Sequence, residues 1–174
     1  MKISNFRKLS FAFLPVIVFV SSCADDPSTE ISELNGTWST GCSANTIQTY
    51  QFEGSKVLYT VNLYNDATCS NLNLTGKRNL TITSYGATNS TLQEAKNIDV
   101  KIGTSDSCPV NTACTSSSQD VGQISLGVYK IEEIDKNTHR LSLQFSDDQL
   151  SPPEQVRPTG FENLTYTRTK PVED

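Results

Sequence analysis

Between residues 36 and 167 an alternation of apolar and polar side chains with a period of two recurs, and no stretch sustains the period of an amphipathic helix. Alternation of this kind marks strands with one face buried and one face in water. Eight segments carry it: residues 36–41, 46–52, 56–64, 78–84, 97–102, 123–131, 140–145 and 163–167. In the fifth, Ile98, Val100 and Ile102 alternate with Asn97, Asp99 and Lys101; in the seventh, Leu141, Leu143 and Phe145 alternate with Arg140, Ser142 and Gln144. Glu53-Gly54-Ser55 and the run from Asp135 to Thr138 are tight-turn sequences, and Gly76 and Gly86 mark further breaks. Eight strands joined mostly to their sequence neighbours predict an all-β, antiparallel up-and-down barrel, which leaves no sheet edge exposed. A sandwich is the alternative architecture.

Two connections are longer. Residues 103–121 are rich in Ser and Thr, and residues 146–160 contain Pro152, Pro153 and Pro158. Loops of this length belong at a barrel rim, where they serve as contact surfaces. Strands of five to nine residues, with Tyr50, Phe52, Tyr59, Leu126, Val128, Leu143, Phe145 and Tyr166 as inward candidates, point to a filled core.

The charge distribution is uneven. Of 14 basic residues three, Lys2, Arg7 and Lys8, lie in the first eight positions, and all 19 acidic residues follow position 24. The body is thus strongly acidic, which argues against nucleic acid, whose phosphates are neutralised by Lys and Arg. Behind the basic start, residues 9–20 form an apolar run too short to cross a bilayer comfortably. Val20-Ser21-Ser22-Cys23 follows and resembles a bacterial lipobox; an ordinary secretory signal with a chance Cys is the other reading. The resemblance implies a signal peptide over 1–22, cleavage before Cys23, and acylation of its thiol and of the new N-terminus. Several acyl chains anchor stably where one does not. Ala24 at the next position, by the same resemblance, favours the outer membrane. Residues 23–33 then form the lipidated Cys and a polar, acidic tether, 34–168 the barrel domain, and 169–174 a disordered tail.

Four further cysteines remain: Cys42, Cys69, Cys108 and Cys114. Export places them where disulfides persist, and an even count suggests two bridges among three possible pairings. Cys108 and Cys114 bracket five residues as a loop staple, which leaves Cys42 to reach Cys69. A four-Cys metal site is the competing use, but the spacing has no C-x₂-C knuckle.

Little else points to chemistry. His139 is the sole histidine and reads as a solvated turn residue beside Arg140. The acidic groups Glu132, Glu133 and Asp135, and Asp147 with Asp148, fall at strand ends and turns and lack calcium-loop spacing. No G-x-S-x-G elbow is present. The expectation is a non-enzyme without cofactor or metal.

Leu34-Asn35-Gly36-Thr37-Trp38 resembles the G-x-W start of the first strand in lipocalins and related calycin barrels. That resemblance implies a Trp38 packed at the closed end of the barrel and covered by an Arg of the last strand, here Arg168 in Leu164-Thr165-Tyr166-Thr167-Arg168. It also implies a small apolar molecule held within the barrel. A solid barrel that recognises an envelope protein through its loops is the other functional expectation.

Overall fold

A computed structural model describes residues 33–146 and 156–169. Nine strands follow in chain order: β1 (Gly36–Ser39), β2 (Thr46–Glu53), β3 (Lys56–Tyr64), β4 (Leu72–Thr88), β5 (Lys96–Pro109), β6 (Thr115–Ser117), β7 (Ile124–Asp135), β8 (Thr138–Phe145) and β9 (Thr165–Thr169). Eight of them close an antiparallel up-and-down barrel, each pairing with its neighbour along the chain, and β6 lies outside the ring against β5. Closure excludes the sandwich. The ring is sealed where β9 meets β1, at the pair Ser39 and Thr167.

The strand directions give the barrel two unlike ends. The base collects the start of β1, the β2–β3, β4–β5 and β7–β8 turns and the end of β9. The mouth collects the remaining connections, and both disulfides are there. Cys42–Cys69 ties the β1–β2 loop to the β3–β4 loop, and Cys108–Cys114 staples the β5–β6 turn.

Three sequence expectations change. First, the fourth and fifth strands are far longer than their alternation: β4 has 17 residues and β5 14, so much of the expected loop at 103–121 is strand. The upper half of β5, Gly103 to Pro109, pairs with β4 on one side and, in part, β6 on the other. It rises beyond the ring and is wetted more on both faces, so it carries no apolar alternation. Second, β7 turns the opposite face inward. Ser125 and Gly127 stand opposite Val100 and Ile98, and Tyr129 joins the core, so Leu126 and Val128 face outward. On that outer side Arg157, from the β8–β9 connection, bonds the Gly127 carbonyl and pairs with Asp99 at 2.6 Å. Third, the interior is not filled along its whole length.

The filled half is the base. Leu34, Trp38, Phe52, Ile98, Tyr129 and Leu141 are all 2% exposed or less and belong to one cluster. Burial of such side chains at about 25 cal/mol per Å² of apolar surface supplies the main stabilisation of the domain. Above them the core thins toward the mouth.

Candidate functional site

Inward parity, carried up the strands from the base, brings a different set of residues together. Tyr50 on β2, Tyr59 on β3 and Arg78 and Leu80 on β4 line the upper barrel with Val100, Ile102, Ser125 and Phe145. They surround a cavity of about 510 Å³, whose rim is completed by Gln119, Asp120 and Ser146.

Its floor is aromatic. The rings of Tyr50 and Tyr59 stack at 4.6 Å, Tyr166 meets Tyr50 edge-on at 5.1 Å, and Phe145 leans toward Tyr50 at 6.4 Å. Offset and edge-on pairs of this kind are favourable beyond the area they bury. Phe145 reaches this position because Gly127 stands opposite it: a Cβ on Gly127 would lie 2.6 Å from the Phe145 ring. One missing side chain on β7 thus sets where the floor lies.

The polar groups of the floor are satisfied. Gln48 Oε1 accepts the hydroxyls of Tyr59 at 2.7 Å and Tyr166 at 3.2 Å. Burial raises both phenol pKa values above the ordinary tyrosine range, with Arg78 partly opposing this at Tyr59. Both therefore remain neutral donors at physiological pH. Higher up, Arg78 Nε donates to Ser105 Oγ at 3.0 Å, which fixes the guanidinium against β5. Ser146 Oγ accepts from the Leu126 amide, and Asp120 accepts from Gln123. The result is an aliphatic wall (Leu80, Val100, Ile102), an aromatic floor, and a rim bearing one cation, one carboxylate and several neutral polar groups. A compact molecule with an apolar body and a polar end matches that distribution.

The base closes around different chemistry. The Arg168 guanidinium carbon lies 4.3 Å from the centroid of the Trp38 ring, and its Nη1 donates to the Asn35 carbonyl. Trp38 Nε1 donates to the Leu34 carbonyl at 2.6 Å. Gly36 adopts φ +110°, a conformation suited to glycine, and the Arg168 chain passes it 3.4 Å from where a Cβ would stand. Glu33 caps the end by accepting from Lys96 at 2.9 Å and from the Tyr129 hydroxyl at 3.0 Å.

The four cysteines of the domain are paired as 42–69 and 108–114, with Cα separations of 5.9 and 4.1 Å. Cys23, its tether and the acidic pair Asp147 and Asp148 lie outside the described residues, as does most of the tail. His139 is not a solvated turn residue. It is half-buried on β8 opposite Arg168, and its Nδ1 is enclosed without a hydrogen-bond partner among the described residues.

Sequence reasoning missed Gln48, Arg78 and Ser125, although a signal existed. Each is a polar residue at an inward position of a strand, two residues from an inward neighbour: Tyr50, Leu80 and Gly127. Comparison with protein-family models gave no match, and comparison with curated proteins gave none either.

Proposed function

We propose that this chain is a bacterial envelope lipoprotein, held on the outer membrane by acyl chains on Cys23, whose lipocalin-like barrel carries a small amphipathic molecule in its mouth cavity. The observation that supports this reading is the half-hollow interior: about 510 Å³ above a packed base, floored by Tyr50, Tyr59 and Phe145. The apolar body of the ligand lies against Leu80, Val100 and Ile102, and its polar end meets Arg78, Gln119, Asp120 and Ser125. Binding, with no covalent step, is the role assigned to these groups.

Native mass spectrometry of protein purified from its own host tests the reading. The expected result is one added mass of small-molecule size per chain, lost in Val100→Trp, which fills the cavity from its wall. Protein that carries no small molecule at any stoichiometry would overturn it. A second reading, recognition of an envelope protein by the mouth loops, draws on exposed Val110 and Val121, 44% and 47% accessible. Capture of a protein partner that survives Val100→Trp and is lost in Val110→Asp/Val121→Asp favours this second reading.

A further inference from the structure

The barrel has a polarity that the anchor makes consequential. Glu33, the first described residue, sits at the base beside Lys96 and Tyr129, and β9 also ends there against Thr138. Every group of the cavity rim lies toward the other end, with Gln119, Asp120 and Ser146 in mouth connections. The tips of β3, β4 and β5 extend still further, presenting Leu63, Leu72 and Val110 as exposed apolar side chains.

Two lengths decide what the mouth can reach. The 17 residues of β4 span the molecule from base to tip. At about 3.3 Å per residue and a tilt of about 40°, that is roughly 40 Å along the barrel axis. From Cys23 to Glu33 the chain has ten peptide steps, which extend to at most about 35 Å. To seat the mouth on the bilayer holding Cys23, that segment would have to run the full height of the barrel wall. It is too short.

We infer that the cavity opens away from the anchoring membrane and exchanges its ligand with the aqueous side, so that the ligand is a water-borne amphiphile and not a lipid drawn from that bilayer. The inference rests on the anchored-carrier reading and adds the direction of exchange. It accords with a rim bearing Arg78, Asp120, Gln119 and Ser125, groups that match a hydrated head better than acyl chains alone.

Energy transfer on vesicles tests it with the full lipidated chain. A donor dye is placed, through a clickable residue, at exposed Val110 near the mouth or at exposed Ile134 near the base, positions 44% and 48% accessible. The acceptor is a rhodamine-labelled phosphatidylethanolamine in the vesicles. Transfer is expected to be several-fold stronger from position 134 than from position 110. Equal or reversed transfer in protein that floats with the vesicles would overturn the orientation while leaving the carrier reading intact. Extraction of a fluorescent phospholipid from the same vesicles into the cavity would overturn the ligand class. Protein that fails to float would overturn the anchor, and with it this inference, whereas cavity binding is read separately by mass spectrometry.

Discussion

Trp38 is the largest side chain in the base, and its environment uses every part of it: the indole N–H is bonded, one face is covered by Arg168, and no surface remains in water. Trp38→Ala is expected to lower stability by about 3–5 kcal/mol, as for other buried large-to-small changes. Arg168→Ala, which uncovers the ring but leaves it packed, is expected to cost about 1–2 kcal/mol. Denaturant melts followed by far-ultraviolet dichroism measure both, and a loss under about 1 kcal/mol for Trp38→Ala would show the base is held by other contacts. At the mouth a single carboxylate has a comparable local role. Asp66 accepts the Thr68 hydroxyl and amide, the Ser70 amide and hydroxyl, and the Asn71 amide. These bonds shape the turn in which disulfide-bonded Cys69 adopts φ +53°. The Thr68 hydroxyl first, then the Ser70 amide, hold the Asp66 carboxyl well below its usual 3.8. A carboxylate with a lowered folded pKa stabilises the fold fully above 3.8 and loses that contribution as the pH falls from there through the lowered value. The stability gap between the native chain and Asp66→Asn should therefore be constant at neutral pH and shrink on acidification below 3.8. A gap that stays flat down to pH ~2 would show the charge plays no part.

At the scale of elements, the two disulfides divide the labour unevenly. Cys42–Cys69 closes a separation of 27 residues and Cys108–Cys114 one of six. Chain entropy gives about 3.5 kcal/mol for the longer and about 2 kcal/mol for the shorter. Replacing each pair by Ser should reproduce that order in denaturant melts, while the fluorescence of Trp38 at the far end stays unchanged in both folded variants. A shifted Trp38 emission would mean that mouth and base are coupled. The same division explains what the sequence allowed one to read. Where a strand has the barrel interior on one side, as at Ile98, Val100 and Ile102, alternation locates it and its face. Where β5 climbs past the ring through Gly103, Thr104 and Ser105, water reaches both faces, and the strand is indistinguishable from a polar loop. Inward polar residues were the other loss. Parity with Tyr50 and Leu80 gives Gln48 and Arg78 their inward face, but their hydrogen bonds to Tyr59, Tyr166 and Ser105 join strands distant in sequence, so no local pattern names their partners. On β7, Leu126 and Val128 outcompete Ser125 and Gly127 in hydropathy, so periodicity selected the wrong face.

For the whole molecule, the half-filled barrel, on the carrier reading proposed above, separates stability from recognition. The packed base holds the fold, and the mouth can vary its rim with little cost to the core. Almost all pairing is between chain neighbours, except at the seam, where Ser39 meets Thr167. Folding dominated by strand pairing, with one closure across most of the domain, is expected in the millisecond-to-second range. Stopped-flow refolding of the oxidised protein, with Trp38 as reporter, measures it; a submillisecond single phase would contradict the topology. The seam has one more consequence. During synthesis the chain emerges with β1 first and β9 last, so until the final residues are made the sheet is an open ribbon. Its two edges, on β1 and β8, then offer unpaired backbone groups to any passing strand. A cell that makes this protein must shield those edges for as long as β9 has yet to arrive.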